Sequence, residues 1–172
     1  MTQNSALHQK IVAEAGQRYH WNPSDTVVST DTQLSTDGCT IYRASNTALP
    51  DAGVLTYAAL PEGQLVGSQD GREASAQILR ACGSGQDAEW WAQVVARFIG
   101  ETNGRVVTDD DKLSIGLIQA RGGNYAPPAL HKESDVTRLR FHVIRRMTEP
   151  ALVEALLPPQ GPIEVDVRSI KR

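Results

Sequence analysis

Residues 87–99 constrain the fold of this chain more than any other segment, because they concentrate large apolar side chains at helical spacing. The segment holds two of the three tryptophans and one of the two phenylalanines. On a helix, one broad stripe would contain Trp90, Trp91, Val94, Val95, Phe98 and Ile99. Glu89, Gln93 and Arg97 would then face water. The pattern predicts a core helix in which Trp90 or Trp91 is largely buried.

The composition is that of an ordinary folded protein. A chain of 172 residues with 40% hydrophobic residues can bury a core that is stable without disulfides or bound metal ions. With a formal charge of −3, the chain has no overall positive potential that would attract a polyanion, so we expect no nucleic-acid partner. The N-terminus lacks an export signal and no long apolar run occurs, which predicts a cytoplasmic protein without membrane contact. Cys39 and Cys82 are accordingly expected to be reduced, buried and chemically quiet.

The first half of the chain alternates between helical and extended patterns. Leu7, Ile11, Ala15 and Tyr19 share one face of a predicted helix over 6–19. Extended patterns over 26–30, 38–44 and 53–60 predict a meander of three strands. Asp70 to Glu73 resembles a capping box that opens a helix ending at Cys82.

The second half is more irregular. The patterns predict a strand pair over 105–108 and 113–119, a long loop over 120–136, a strand over 138–146, a short helix over 148–157 and a last strand over 163–167. Runs of strands joined by short turns favour an α+β fold with a mainly antiparallel sheet. We predict one domain over 1–172, with residues 1–5 disordered. Its sheet should have five to six strands, with three to four helices mostly on one face.

The strand over 138–146 carries the clearest charge pattern. Arg138, Arg140 and His142 alternate with Leu139, Phe141 and Val143, so one side should be basic and the other buried. On the last strand, Glu164 and Asp166 alternate with apolar residues. We expect the charges to pair across neighbouring strands, and binding of an acidic partner is the alternative.

Two further segments are candidate binding sites. Gly67, Ser68, Gly71 and Arg72 surround a helix start that could hold an anion, although Asp70 as an N-cap explains the same residues more simply. In the loop over 120–136, Arg121 and Tyr125, with Asn124 and His131, could line a pocket.

The remaining reactive side chains form no recognisable catalytic or metal motif. Cys39 follows a turn, but nothing around it resembles an activated nucleophile. His131, Glu133 and Asp135 alternate on one side of an extended segment, and Asp109 to Asp111 read as a solvated turn rather than a calcium loop. We therefore predict no metal and no cofactor.

These observations favour a non-enzymatic, cytoplasmic, bacterial-type module that binds another protein, such as a chaperone, an adaptor or an immunity-like partner. Its candidate partner-binding residues are Arg138, Arg140, His142, Arg121 and Tyr125. A homodimer is also compatible with the chain. The alternative is a small enzyme or a ligand-binding domain, with its pocket under the loop over 120–136 or its anion site at the helix start over 67–72.

Overall fold

The computed structural model, which describes residues 3–171, contains four α-helices, nine β-strands and four short 3-10 helices. The strands form two antiparallel sheets, one of four strands and one of five. The predicted α+β class with antiparallel pairing is therefore confirmed, with two sheets in place of one. The chain divides into two compact units, residues 1–68 and residues 69–172.

The first unit is a meander covered by one helix. Helix α1 (Gln3–Tyr19) is followed by strands β1 (Thr26–Asp31), β2 (Thr40–Asn46), β3 (Val54–Ala59) and β4 (Leu65–Gly67). The sheet order is β1-β2-β3-β4. The predicted helix and the three predicted strands are confirmed. Of the residues expected to be disordered, Gln3 to Ser5 belong to α1, and residues 1 and 2 lie outside the described residues.

The core of this unit lies between α1 and the sheet. Ile11 and Ala15 are fully buried and pack with Tyr42 and Tyr57 of β2 and β3. Leu7 adds a half-buried contact, while Tyr19 is exposed at the end of the helix. The helical periodicity of the apolar residues thus identified the packed face correctly, except at its last residue.

The second unit contains the other helices and the larger sheet. Its elements are α2 (Gly71–Cys82), α3 (Ala88–Phe98), β5 (Arg105–Val106), α4 (Lys112–Ala120), β6 (Ala129–Glu133), β7 (Val136–Arg145), β8 (Glu149–Leu157) and β9 (Glu164–Ser169). The long strand β7 pairs with β5, β6 and β8, and β9 pairs with β8.

Helix α3 is the predicted tryptophan helix. Asp87 caps it by accepting a hydrogen bond from the Trp90 backbone N–H at 2.8 Å. All six residues of the predicted stripe are buried, and Trp90 and Trp91 are each only 8% exposed. The helix contacts β7 and therefore covers one face of the sheet. The sequence-based prediction of a structural helix is confirmed.

Residues 149–157 form strand β8, so the short helix predicted there is wrong. Alanine, leucine and glutamate favour helices, but their propensities differ by less than about 1 kcal/mol per residue. Pairing with β7 on one side and β9 on the other outweighs this preference, because it satisfies backbone groups along the whole strand. The strand follows a two-residue turn in which Arg146 and Met147 both have positive φ.

Residues 112–120 form helix α4, so the strand predicted over 113–119 is also wrong. The alternation of Leu113, Ile115 and Leu117 suggested a strand, but it is Ile118 that is fully buried and Leu113 that is 88% exposed. The missed signal was Asp111, whose carboxylate accepts a hydrogen bond from the Ser114 backbone N–H at 3.1 Å. Asp109 and Asp110 form the predicted turn before this cap.

The predicted loop over 120–136 is shorter than expected. Residue 120 ends α4, β6 occupies 129–133 and β7 begins at 136, so only about 121–128 lack regular structure. The strand was missed because its sequence, Ala-Leu-His-Lys-Glu, has little apolar alternation. It forms as an edge strand because β7 offers it a complete set of backbone partners.

Both cysteines are disulfide-bonded, and none of the described cysteines is free. The prediction of reduced thiols is therefore wrong. Burial itself was predicted correctly, since Cys39 is fully buried and Cys82 is 8% exposed. A buried thiol and a buried half-cystine occupy the same kind of apolar position, so the surrounding sequence does not distinguish them.

Candidate functional site

The sheet of the second unit has a charged face, with Arg72 of α2 beside it. Outward positions on four adjacent strands contribute to it, in two rows fixed by the strand register. The first row is His131, Arg138, Leu156 and Glu164, and the second is Ala129, Arg140, Glu154 and Asp166. We call these eight residues, with Arg168 of β9, the charged face. Leu139, Phe141 and Val143 of β7 point to the opposite side and are buried, as predicted.

Ion pairs connect the charges of this face. Arg140 Nε lies 3.9 Å from the Glu154 carboxylate, and Arg168 Nη2 lies 3.1 Å from the same group. Arg168 Nε also donates to Asp166 at 2.7 Å. The hydrogen bond with Asp166, and the charges of Asp166 and Glu154, raise the pKa of Arg168. Solvent screens these exposed pairs, so they order side chains more than they stabilise the fold.

The predicted pairing of Arg138 and Arg140 with Glu164 and Asp166 is wrong in its partners. Strand β8 lies between β7 and β9, so residues on β7 and β9 are two strands apart. Glu154 of β8 occupies the position between them, and Arg138 pairs instead with Glu133 at 3.3 Å. Sequence reasoning missed Glu154 because it placed residues 148–157 in a helix. The seven residues between Pro150 and Pro158, apolar except for Glu154, would also have fitted a buried strand.

The charged face encloses a shallow groove of about 710 Å³. Arginines 72, 138, 140 and 168 line it together with the carboxylates of Glu154, Glu164 and Asp166. Leu156, Ala129 and Val165 add apolar surface between the charges. The groove therefore combines an apolar floor with cationic and anionic groups, a composition suited to another polypeptide surface.

His142 follows the alternation of Arg138 and Arg140 but is not exposed. It is 2% exposed because the segment 121–128 covers this end of the sheet. Its Nδ1 lies 3.4 Å from the Ala126 carbonyl oxygen, and the Tyr125 ring centroid lies 5.7 Å from its own. The sequence pattern identified the correct side of the strand, but only the tertiary structure shows that this position is covered.

Burial lowers the pKa of His142, and the positive charge of Arg140 lowers it further, against a smaller rise from the hydrogen bond with Ala126. The folded protein therefore binds a proton at His142 less tightly than the unfolded chain does. As pH falls below the ordinary histidine pKa, protonation favours the unfolded chain and the free energy of unfolding decreases. We expect the urea midpoint to fall between about pH 7 and about pH 5.

The variant His142→Gln should show a weaker fall in the urea midpoint over the same pH range, since glutamine does not titrate. Replacing the exposed His131 by Gln is the matched control and should leave the slope of the wild-type protein unchanged. An identical slope in the wild-type protein and in His142→Gln would contradict the role assigned to His142.

Arg121 and Tyr125 lie near the covered end of the sheet, away from the groove. Arg121 is the C-cap of α4, and Tyr125 packs with Ile118 and Ile144. Burial, followed by the carboxylate of Asp109, raises the pKa of Tyr125 to about 12, so its hydroxyl stays protonated at neutral pH. The groove contains His131 but none of Arg121, Asn124 and Tyr125. The polar residues expected to line one pocket are therefore not brought together there.

The residues of the candidate anion site belong to both units. Gly67 and Ser68 lie in the first unit, where Ser68 Oγ accepts a hydrogen bond from the Thr56 backbone N–H at 3.3 Å. Gly71 and Arg72 begin α2 in the second. A Cβ at Gly71 would lie 2.2 Å from the Phe98 carbonyl oxygen, so the helix start is packed against backbone.

The polar groups at this helix start differ from the predicted capping box. Asp70 is the N-cap of α2 but makes no side-chain capping hydrogen bond, so that part of the prediction is wrong. Arg72 Nη2 donates to the Glu101 carboxylate at 2.5 Å. The cation that an anion would need is thus already engaged by a carboxylate.

Metal-binding geometry does not occur among residues 3–171. No group of three or more histidine, cysteine, aspartate or glutamate side chains is arranged to hold an ion there. His131 Nε2 instead lies 3.4 Å from the Glu133 carboxylate. Within the same described range, none of the helices is both long and apolar enough to span a bilayer.

Comparison with known proteins gives no relative from which a role could be transferred. No protein-family model matches the chain, and no curated protein and no solved structure matches it either. The geometry of the charged face is therefore the best guide to the role of this protein.

Proposed function

We propose that this protein is a non-enzymatic module that binds another protein through the charged face of its five-stranded sheet. One observation carries the proposal. The outer side of the sheet is covered at the His142 end by α4 and residues 121–128, while the end with Arg138 and Arg140 is left open around a groove. Arginine is enriched at protein interfaces because its planar guanidinium pairs with carboxylates and stacks on apolar groups.

The arrangement of side chains favours binding over chemistry. The groups that line the groove are arginines, carboxylates, His131 and small or branched apolar side chains, and ion pairs engage Arg138, Arg140 and Arg168. A catalytic site needs a nucleophile or a base whose pKa is tuned to its task. The carboxylates of Asp166 and Glu154 raise the pKa of Arg168 in the groove, so this guanidinium stays charged at any working pH.

The partner and the location follow from the same reasoning. A chaperone, an adaptor or an immunity-like protein of bacterial type would each use such a face, and the partner is expected to be a protein rather than a nucleic acid or a membrane. The cytoplasmic location stays a prediction. The disulfide-bonded state of Cys39 and Cys82 favours an oxidising compartment instead, because cytosolic thiols are kept reduced.

Site-specific photocrosslinking in cells that produce the protein tests the proposal. A photoreactive amino acid at Ala129, which is exposed beside the groove, should give a discrete adduct with one partner protein. The same group at the exposed position Glu62 of the first unit is the control.

The variant Arg138→Glu, Arg140→Glu should abolish the Ala129 adduct, since it replaces the cations of the face. The variant Arg43→Glu, Arg97→Glu makes the same charge change at exposed arginines outside the face and should keep the adduct. Equal adduct yields in the two double variants would refute a role for the charged face.

A further inference from the structure

Strand β6 is an edge strand of the larger sheet, with one side of its backbone open. It pairs with β7 alone, and four of its five residues are exposed. Pro127 and Pro128 precede the strand, and a turn with positive φ at Ser134 follows it. Proline has no backbone N–H to offer a further strand, so the open edge is confined to residues 129–133.

The register of β7 shows which backbone groups of β6 point outward. Strand β8 lies along one side of β7, so β5 and β6 both lie on the other, where the Val107 N–H donates to the His142 carbonyl oxygen at 2.9 Å. Backbone groups alternate between the two sides of a strand, so the even-numbered residues of β7 bond to β6. Their partners are Ala129, His131 and Glu133. The N–H and C=O groups of Leu130 and Lys132 therefore point away from the sheet, and no hydrogen bond reaches them within residues 3–171.

The side chains of Leu130 and Lys132 border a cleft of about 520 Å³. Leu130 lies opposite Leu139 of β7, which is buried on the side of the sheet away from the charged face. The apolar walls of the cleft come from α2, α3 and the end of β8, through Leu79, Trp91, Leu157 and Pro158. Alternate side chains of a strand share one face, so a strand added to β6 would direct every second side chain into this cleft.

Positive charge predominates around the cleft. Lys132 makes no ion pair with any residue between 3 and 171. Arg80 Nη2 donates to the carbonyl oxygens of Pro158 and Gly161 at 2.8 and 2.6 Å, so its charge has no carboxylate beside it in these contacts. Of the described residues that line the cleft, Asp135 is the single carboxylate. A carboxylate opposite Lys132 would therefore be attracted, and a lysine there would be repelled.

Resting on the proposed function of the charged face, to which Ala129 and His131 belong, we infer that the partner protein adds an extended acidic segment to the open edge of β6. The backbone of the segment pairs with Leu130 and Lys132. An apolar side chain enters the cleft opposite Leu130, and a carboxylate lies opposite Lys132. Main-chain hydrogen bonds supply affinity in this mode of binding, and the alternate side chains supply selectivity.

Nuclear magnetic resonance of the isotope-labelled full chain tests this inference with a defined probe, the acetylated and amidated peptide Thr-Glu-Thr-Leu-Thr-Glu-Thr. Its glutamates lie two residues before and after the leucine, so it fits β6 in either direction. The amide protons of Leu130 and Lys132 should shift downfield and exchange more slowly with solvent. The amide of His131, which already bonds to β7, should change little. We expect a dissociation constant on the order of 1 mM, because few backbone groups pair.

Variants at Lys132 separate the backbone contribution from the charge. Lys132→Pro removes an outward N–H, leaves the bonds between β6 and β7 in place, and should weaken binding by about fivefold or more, as expected for a lost hydrogen bond. Lys132→Glu should bind the acidic peptide more weakly and should prefer Thr-Lys-Thr-Leu-Thr-Lys-Thr. Lys10→Glu makes the same charge change at an exposed position of the first unit and should bind like the wild-type protein. Circular dichroism checks folding, and Lys132→Glu carries the test if Lys132→Pro does not fold.

Two results would overturn the inference: no shift of the Leu130 and Lys132 amides at a several-fold excess of acidic peptide over the expected dissociation constant, or equal affinity of the wild-type protein for the acidic and the lysine peptides. A protein that fails to bind the acidic peptide but still forms the Ala129 adduct would lose strand addition and keep the proposed function. Loss of peptide binding and of the adduct would remove both.

Discussion

Replacing Trp91 by Ala should destabilise the protein by about 3–5 kcal/mol, the range observed for large aromatic residues removed from a core. Trp91 is 8% exposed, and its indole Nε1 donates to the Gly83 carbonyl oxygen at 3.0 Å in a buried hydrogen bond. The variant loses the packing of the ring and the indole hydrogen bond, while that carbonyl keeps its hydrogen bond from the Gln86 backbone N–H. A loss of this size is a large part of the total stability of a domain, about 5–15 kcal/mol.

Urea denaturation followed by circular dichroism measures this effect. Trp91→Phe keeps most of the ring but not the hydrogen bond, and should cost less than Trp91→Ala. Leu113→Ala is the matched surface control, because Leu113 is also on a helix but is 88% exposed, and its change should be within about 0.5 kcal/mol. Similar losses for Trp91→Ala and Leu113→Ala would contradict a structural role for the tryptophan.

The variant Cys39→Ala, Cys82→Ala should lose about 2–5 kcal/mol of stability, as expected when a native disulfide is removed. Both cysteines are disulfide-bonded, and their buried positions make the cavity cost of two small side chains modest beside the loss of the covalent constraint. The urea midpoint of the wild-type protein should fall to a similar extent in dithiothreitol, whereas the variant should not respond to the reductant.

Thiol titration provides an independent control for this prediction. The wild-type protein, denatured without reductant, should react with no equivalents of a thiol reagent, and after reduction it should react with both cysteines. Two reactive thiols in the denatured, unreduced protein would refute the disulfide and restore the original expectation of free cysteines.

Periodic patterns in the sequence identified the elements whose two sides differ most. The stripe of α3, the packed face of α1 and the buried residues Leu139, Phe141 and Val143 of β7 are as predicted. Each of these elements is amphipathic, so its own residues specify which side packs. Local pattern and tertiary packing agree there, and either one predicts the other.

Elements without a one-sided pattern were predicted poorly. Strand β8 lies between two other strands and is largely apolar. Its apolar and polar residues therefore do not alternate clearly, and its sequence favoured a helix. Helix α4 is short and depends on the Asp111 cap and on the burial of Ile118. In both cases the competing local preferences differ by little, and contacts with distant residues decide the outcome.

The candidate site shows the same division. The alternation of Arg138 and Arg140 was visible in the sequence, and both residues lie on the open side of β7. Neither the pairing of Arg140 with Glu154 nor the covering of His142 was visible, because each depends on which segment lies beside β7 in space.

The sequence by itself determined the fold class, the faces of the amphipathic elements and the charge alternation along β7, since these follow from side-chain spacing within one segment. The tertiary structure alone decided the strand order, the state of the cysteines and the limits of the charged face. Those properties arise from pairings between residues far apart in the chain, and neither spacing nor composition specifies which residues meet.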